Sequence, residues 1–376
     1  MRKSVRLLLL LGTVILYHST TKLLSSRQKL ATETRRKLSY ADLAEIKLPD
    51  YLFHLVELDD YFSTTRKLQR GEQTVTPFFF HVAKSAGTTL HDFYSNCFRL
   101  VTASEVGAPA SSDTLEIVQR NGKKNAINVD ISNKKGILHA KEVGLVSSHM
   151  AQLVISPLFY DATLELFTAV DKGVMFAMFR HPVKRIISLF YYLQSATWEP
   201  TYNPALKNMT IEDYADSPLL EANFITRSLV NKMEGPLSVE DLDLAKAILM
   251  RKCVVGIVDE FDVSIKMFND AFGFRPNLST EVEGEDTKKN WKSLITSVET
   301  CTETLKNEGG TNKHTHAGLD ETSETYKTIE RKNGWDMLLW EFIVELHKKQ
   351  RLETIARDLG FKGFFKTSQK KSLTIT

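Results

Sequence analysis

The sequence predicts an α/β fold with a mainly parallel central sheet flanked by helices. Two patterns carry this. Short apolar runs, Phe78-Phe-Phe-His-Val82, Val143–Ser147, Gly173–Phe179 and Cys253–Val258, have strand length and no polar alternation, as strands buried on both faces require. Segments of helical period separate them: Thr88–Arg99, Pro182–Leu193, Val239–Met250, Glu260–Ala271 and Trp335–Lys348. Alternation of this kind places ligands at the carboxyl ends of the strands.

The first strand is bounded by Pro77 and leads into Lys84-Ser-Ala-Gly-Thr-Thr89, a small-residue turn before a helix. Such a turn points backbone N–H groups and the helix dipole at one spot, which suits an anion. Ser85, Ala86 and Gly87 let a phosphate approach closely, Lys84 adds charge, and Thr88 and Thr89 can donate hydroxyls. Simple capping is the plain alternative. A Walker loop carries its lysine after the second glycine, whereas Lys84 precedes Gly87. The expectation is a P-loop-type three-layer sandwich that takes a phosphate donor other than ATP or GTP.

Gly107–Gly136 is rich in Ser, Asn, Lys and Gly and reads as a loop excursion. Val143–Ser147 then predicts a strand, with His149 just beyond it at the carboxyl edge. An imidazole titrating near neutrality suits general-base work on a hydroxyl; a structural histidine is the bland reading. In Met178–Tyr192 a strand ends at Phe179, Arg180 tips it, and Pro182 opens the next helix. Arg180 can fork onto a phosphate and Ser188, two turns into that helix, can add a hydroxyl, making a second anion site. Otherwise Arg180 caps a carboxylate and Ser188 is a plain polar position.

The net charge of +3 hides an asymmetry. Residues 1–37 carry nine Lys/Arg and one acid, leaving 40 basic and 45 acidic residues in the remainder. The body is mildly acidic, so no nucleic-acid partner is expected. Arg2, Lys3 and Arg6 precede the apolar run Leu7–Tyr17, which is short for a span but suits a signal anchor. A cleaved signal or an organelle transit peptide is the alternative, the flank after the run being the more basic one. The expected organisation is an anchor over 1–24, a stem over 25–70 and a catalytic domain over 71–376. Sequons at Asn208 and Asn277 fit a lumenal body. Cys97, Cys253 and Cys301 allow one disulfide, with the pairing open, or three buried thiols. No metal-ligand spacing occurs.

The ordered set of Lys84-Ser-Ala-Gly-Thr-Thr, Ser-His149 and Phe-Arg180-x-Pro-x-x-Arg-x-x-Ser188 resembles the Golgi carbohydrate sulfotransferases. The likeness is to the group holding the heparan sulfate 2-O- and 6-O-sulfotransferases and the uronyl 2-O-sulfotransferase. It extends to Glu221–Leu229 and Ala245–Phe268 and covers roughly residues 75–350, with gaps. The resemblance implies sulfuryl transfer from 3′-phosphoadenosine 5′-phosphosulfate (PAPS) to a hydroxyl of a polysaccharide or glycan acceptor, without a metal. Lys84–Thr89 would hold the 5′-phosphosulfate, Lys84 would neutralise the bridging oxygen, and Arg180 with Ser188 would hold the 3′-phosphate. His149 would be the general base, and Arg227 a candidate acceptor contact or a surface salt bridge. The setting implied is a single-pass type II Golgi membrane protein with a lumenal catalytic domain.

Two departures stand out. Ala86 occupies a position where the family loop usually has glycine, which is tolerable at negative φ. Ser147 stands where the 2-O branch often carries a second histidine. The alternatives are a nucleotide kinase or NTPase of related fold, with Asp259 and Glu260 the nearest to a magnesium-holding acid, and a non-catalytic protein that binds sulfated glycans.

Overall fold

A computed structural model describes residues 38–64, 75–107, 113–120, 124–197, 199, 202–276, 298–305 and 318–358. Seven strands, β1 (Thr76–Phe80), β2 (Thr102–Ser104), β3 (Ile117–Arg120), β4 (Lys124–Asp130), β5 (Leu153–Ser156), β6 (Gly173–Phe179) and β7 (Cys253–Ile257), form one sheet. Their order is β3-β4-β2-β5-β1-β6-β7, and every ladder is parallel except β3–β4. The helices that position the site and support it are α1 (Gly87–Asp92), α2 (Lys134–Glu142), α3 (Phe159–Glu165), α4 (Pro182–Leu193), α5 (Phe224–Leu229), α6 (Val239–Lys252), α7 (Phe261–Phe272), α8 (Glu324–Lys332) and α9 (Gly334–Asp358).

The pleat of β1 divides the core. Phe78 and Phe80 face one layer, with Ala140 of α2, Phe159 of α3, Leu229 of α5, Ile248 of α6 and Leu346 of α9. Phe79 faces the other, with Leu90 of α1 and Phe268 of α7. The expected α/β three-layer architecture is therefore the observed one. A smaller cluster joins α4 to Ile211–Asp216 and α8. The chain leaves β1 for β2, returns through β5 beside β1, and then crosses to β6 and β7. The reversal makes the carboxyl ends of β1, β5 and β6 the switch point at which open α/β sheets bind their ligands.

Three expectations need correction. Val143–Ser147 is no strand: Gly144 turns the end of α2 at φ 74°, and Leu145 N–H donates to Ala140 O at 2.8 Å. Leu145 and Val146 are apolar because the turn docks them into the core. The excursion 107–136 is not all loop, since it holds β3, β4 and the start of α2. β4 carries Asn125, Asn128 and Asp130 at the sheet margin, where only part of a strand must be apolar.

The stem boundary also shifts. Residues 38–64 pack on the body, with Leu52, Leu55 and Leu58 buried. Arg251 grips Glu57 at 2.7 and 3.0 Å, and Tyr51 donates its hydroxyl to Leu229 O at 2.5 Å. The remainder of the expected stem, the anchor over 1–24 and the Asn277 sequon lie outside the described residues. Among the described residues no helix is long and apolar enough to cross a membrane. Cys97 and Cys301 form a disulfide with Cα atoms 5.7 Å apart, and Cys253 is a buried free thiol.

Candidate functional site

The loop after β1 takes an unusual backbone path. Lys84 and Ala86 both lie in the left-handed region, at φ 64° and 60°. Ala86 is therefore not at the negative φ that would make it harmless; it bears the strain a glycine would avoid. Its carbonyl accepts from Leu90 N–H at 3.0 Å and opens α1. A Cβ at Gly87 would lie 2.0 Å from Cδ2 of His81, so a larger residue there would have to displace the imidazole. Ser85 is fully buried, and its Oγ has no hydrogen-bond partner among the described residues. A buried hydroxyl normally finds one.

The tip of β6 meets this loop. Arg180 Nη1 donates to Lys84 O at 3.4 Å, so the two anion motifs adjoin at neighbouring strand ends. Lys84 Nζ stands 4.1 Å from the centroid of the Tyr192 ring on α4. Ser188 lies four residues before Tyr192, on the same face of α4 and half-buried. Thr88 and Thr89 are half-buried in the first turn of α1. Pro182 is in the first turn of α4, as the sequence suggested.

Electrostatics sharpen the picture. Burial, with the Arg180 guanidinium beside it, pulls the Lys84 ammonium down to about 8, against the opposing pull of Glu199. Burial lowers Arg180 too, and Asp259 partly offsets it. The His81 imidazole is pushed down to about 4 by burial, again opposed by Glu199. Two partly buried cations held next to each other favour an anion beside them. Ser85, Gly87, Thr88 and Thr89 share the loop and first helical turn that follow Lys84, and Ser188 lies one turn before Tyr192 on α4.

His149 is not there. It precedes β5, and its Nε2 is 3.7 Å from Oδ1 of Asp171, which precedes β6. The parallel strands put it at the amino edge, about 20 Å from the Lys84 loop at 3.3 Å per residue along β6. The expected strand before it does not exist, so the reason for placing it at the carboxyl edge fails. Arg227 is likewise spent elsewhere. Its guanidinium donates to the carbonyls of Ala222, Lys232 and Gly235 at 3.3, 3.0 and 3.0 Å, which ties down the turn after α5. Among the described residues its guanidinium makes no salt bridge, and these three carbonyls hold it in place.

Two groups of the site went unread in the sequence. Tyr192 donates its hydroxyl to the Glu199 carboxylate, and the field of Glu199 reaches Lys84 and His81. The aromatic run Phe190-Tyr-Tyr192 was a signal for the first; for Glu199, in the turn beyond α4, there was none. Among the described residues no group of His, Cys, Asp and Glu stands ready to hold a metal. No family model matches the chain. An uncharacterized protein of Archaeoglobus fulgidus is 25% identical over 224 residues, covering 57% of this chain and 80% of that protein.

Proposed function

We propose that this chain is a PAPS-dependent carbohydrate O-sulfotransferase that moves the sulfuryl group in line to a sugar hydroxyl. The observation that supports the reading most is the junction of the two motifs. Lys84 and Arg180 meet around a loop whose buried Ser85 hydroxyl has no partner among the described residues. The residues fit a donor with anionic groups at both ends. Lys84–Thr89 would hold the 5′-phosphosulfate, and Arg180 and Ser188 the 3′-phosphate. Lys84 would carry the charge that grows on the bridging oxygen as the S–O bond breaks, a case of positioning and electrostatic stabilisation.

In this reading the acceptor is a glycosaminoglycan-like polysaccharide, and the protein is a type II Golgi membrane protein held by residues 1–24. The Cys97–Cys301 disulfide supports an oxidising lumen, and Asn208 is exposed for glycosylation. The test is transfer of labelled sulfate from PAPS to desulfated heparin, chondroitin and dermatan by the full-length chain in the presence of a chelator. Incorporation that falls at least about 100-fold in Lys84→Ala is expected. Magnesium-dependent ATP turnover without sulfate transfer would overturn the reading in favour of a kinase or NTPase.

A further inference from the structure

With His149 at the opposite edge, the proposed transfer needs a proton acceptor at the carboxyl edge. The chain supplies a carboxylate there. Glu199 is half-buried in a turn fixed on both sides, its N–H donating to Ala196 O at 3.0 Å and its carbonyl accepting from Tyr202 N–H at 2.9 Å. The buried Tyr192 hydroxyl donates to its Oε1, while the same Tyr192 ring lies beneath the Lys84 ammonium. One side chain thus ties the carboxylate to the lysine that faces the donor.

Resting on the sulfotransferase reading, we propose that Glu199 is the general base that takes the acceptor hydroxyl proton, with Tyr192 as its positioning residue. The acceptor oxygen forms a bond to sulfur as the bond from sulfur to the bridging phosphate oxygen breaks. The hydroxyl proton passes to a Glu199 carboxylate oxygen, and the leaving phosphate keeps the bond pair, neutralised by Lys84. Glu199 is itself partly exposed, which leaves its carboxylate within reach of an acceptor from solvent.

Among the described residues, Tyr192 faces Glu199 by a hydrogen bond, and Lys84 and His81 through their fields. His81 is the rival base, but its ring forms the floor under Gly87 and a built Cβ would collide with it. A carboxylate beside an anion site repels the donor. Its removal should therefore tighten nucleotide binding while it stops the chemistry, and no purely structural role gives both effects.

The experiment uses the full-length chain and its Glu199→Gln and Tyr192→Phe variants. Affinity is measured for 3′-phosphoadenosine 5′-phosphate (PAP), and kcat for labelled PAPS with desulfated heparin. Glu199→Gln should bind PAP several-fold more tightly and lose about 100-fold or more in kcat. Tyr192→Phe, which keeps the ring under Lys84, should lose about tenfold in kcat with the donor KM unchanged. Unchanged PAP affinity in Glu199→Gln overturns the placement of the carboxylate at the donor, and wild-type kcat in that variant overturns its role as base. Failure of the wild-type chain to bind PAP overturns the sulfotransferase reading itself, and the inference with it.

Discussion

Arg180 Nη1 donates to the Lys84 carbonyl oxygen at 3.4 Å, so the tip of β6 braces the loop that follows β1. The contact joins two motifs that lie almost a hundred residues apart, and a single ligand with two anionic ends can span them. Everything proposed about the donor depends on that adjacency.

The strain at Ala86 is testable directly. At φ 60° an alanine is held in a conformation that costs about 1–2 kcal/mol, and glycine recovers it less about 0.4–1 kcal/mol of extra unfolded-state freedom. Ala86→Gly should therefore raise stability by about 0.5–1 kcal/mol in denaturant unfolding. A loss of that size would show that the loop is not left-handed at this position.

Asn223 and Asp336 cap each other's helices. Asn223 Oδ1 accepts from Trp335 and Asp336 N–H at 2.9 and 3.2 Å, and Asp336 accepts from Ile225 and Thr226 N–H at 3.0 and 2.8 Å. Asp336→Ala strands buried donors at the start of α5 and should cost about 2–4 kcal/mol. Asp336→Asn keeps an acceptor and should cost less. Urea midpoints with an unchanged slope would confirm both.

Residues 38–64 belong to the folded body. A chain beginning at residue 71 loses buried Leu52, Leu55 and Leu58 and leaves Arg251 without Glu57. That should remove on the order of 5 kcal/mol, at about 1.5–3 kcal/mol for each fully buried leucine. A chain beginning at residue 38 should match the full-length melting temperature. Equal melting of the shorter chain would make this segment a stem after all.

The sheet was legible where it is buried on both faces. β6 runs from Gly173 to Phe179 as the apolar pattern indicated, and α4 runs from Pro182 to Leu193, with its proline start and its amphipathic face both written in the sequence. β2 was not legible, because its Thr102-Ala-Ser104 is short and polar, with the Thr102 hydroxyl bonded to His91 of α1 and to the Asn125 carbonyl of β4. β5, four residues long, was hidden behind the misread Val143–Ser147, whose apolar residues serve a helix end. That one error moved His149 across the molecule. In the site, Lys84 and Arg180 could be found from charge at strand ends. Glu199 is brought there by a turn after α4, and no spacing rule announces a carboxylate that arrives by tertiary folding.

The depressed ammonium of Lys84 gives a pH signature. Its ordinary value is near 10.5, and burial with Arg180 brings it to about 8 in the folded chain. Between these values the unfolded chain binds more protons, so this group adds stability as pH rises from about 8 to 10.5. A bound anion favours the charged ammonium, so PAP affinity should fall over the same window, by up to about tenfold per pH unit. Calorimetric titration from pH 7 to 9.5 should show the fall in the wild type and a flat profile in Lys84→Met. A wild-type profile as flat as that of the variant would remove Lys84 from the anion site.

The most direct measurement is thermal unfolding of the full-length chain with and without PAP. At 100 times Kd, binding to the native state adds about 2.7 kcal/mol, enough for a clear shift. The account predicts that shift, its loss in Arg180→Ala, and none with ATP, which lacks the 3′-phosphate. A folded chain that PAP leaves unmoved, or one that ATP stabilises equally, would contradict it.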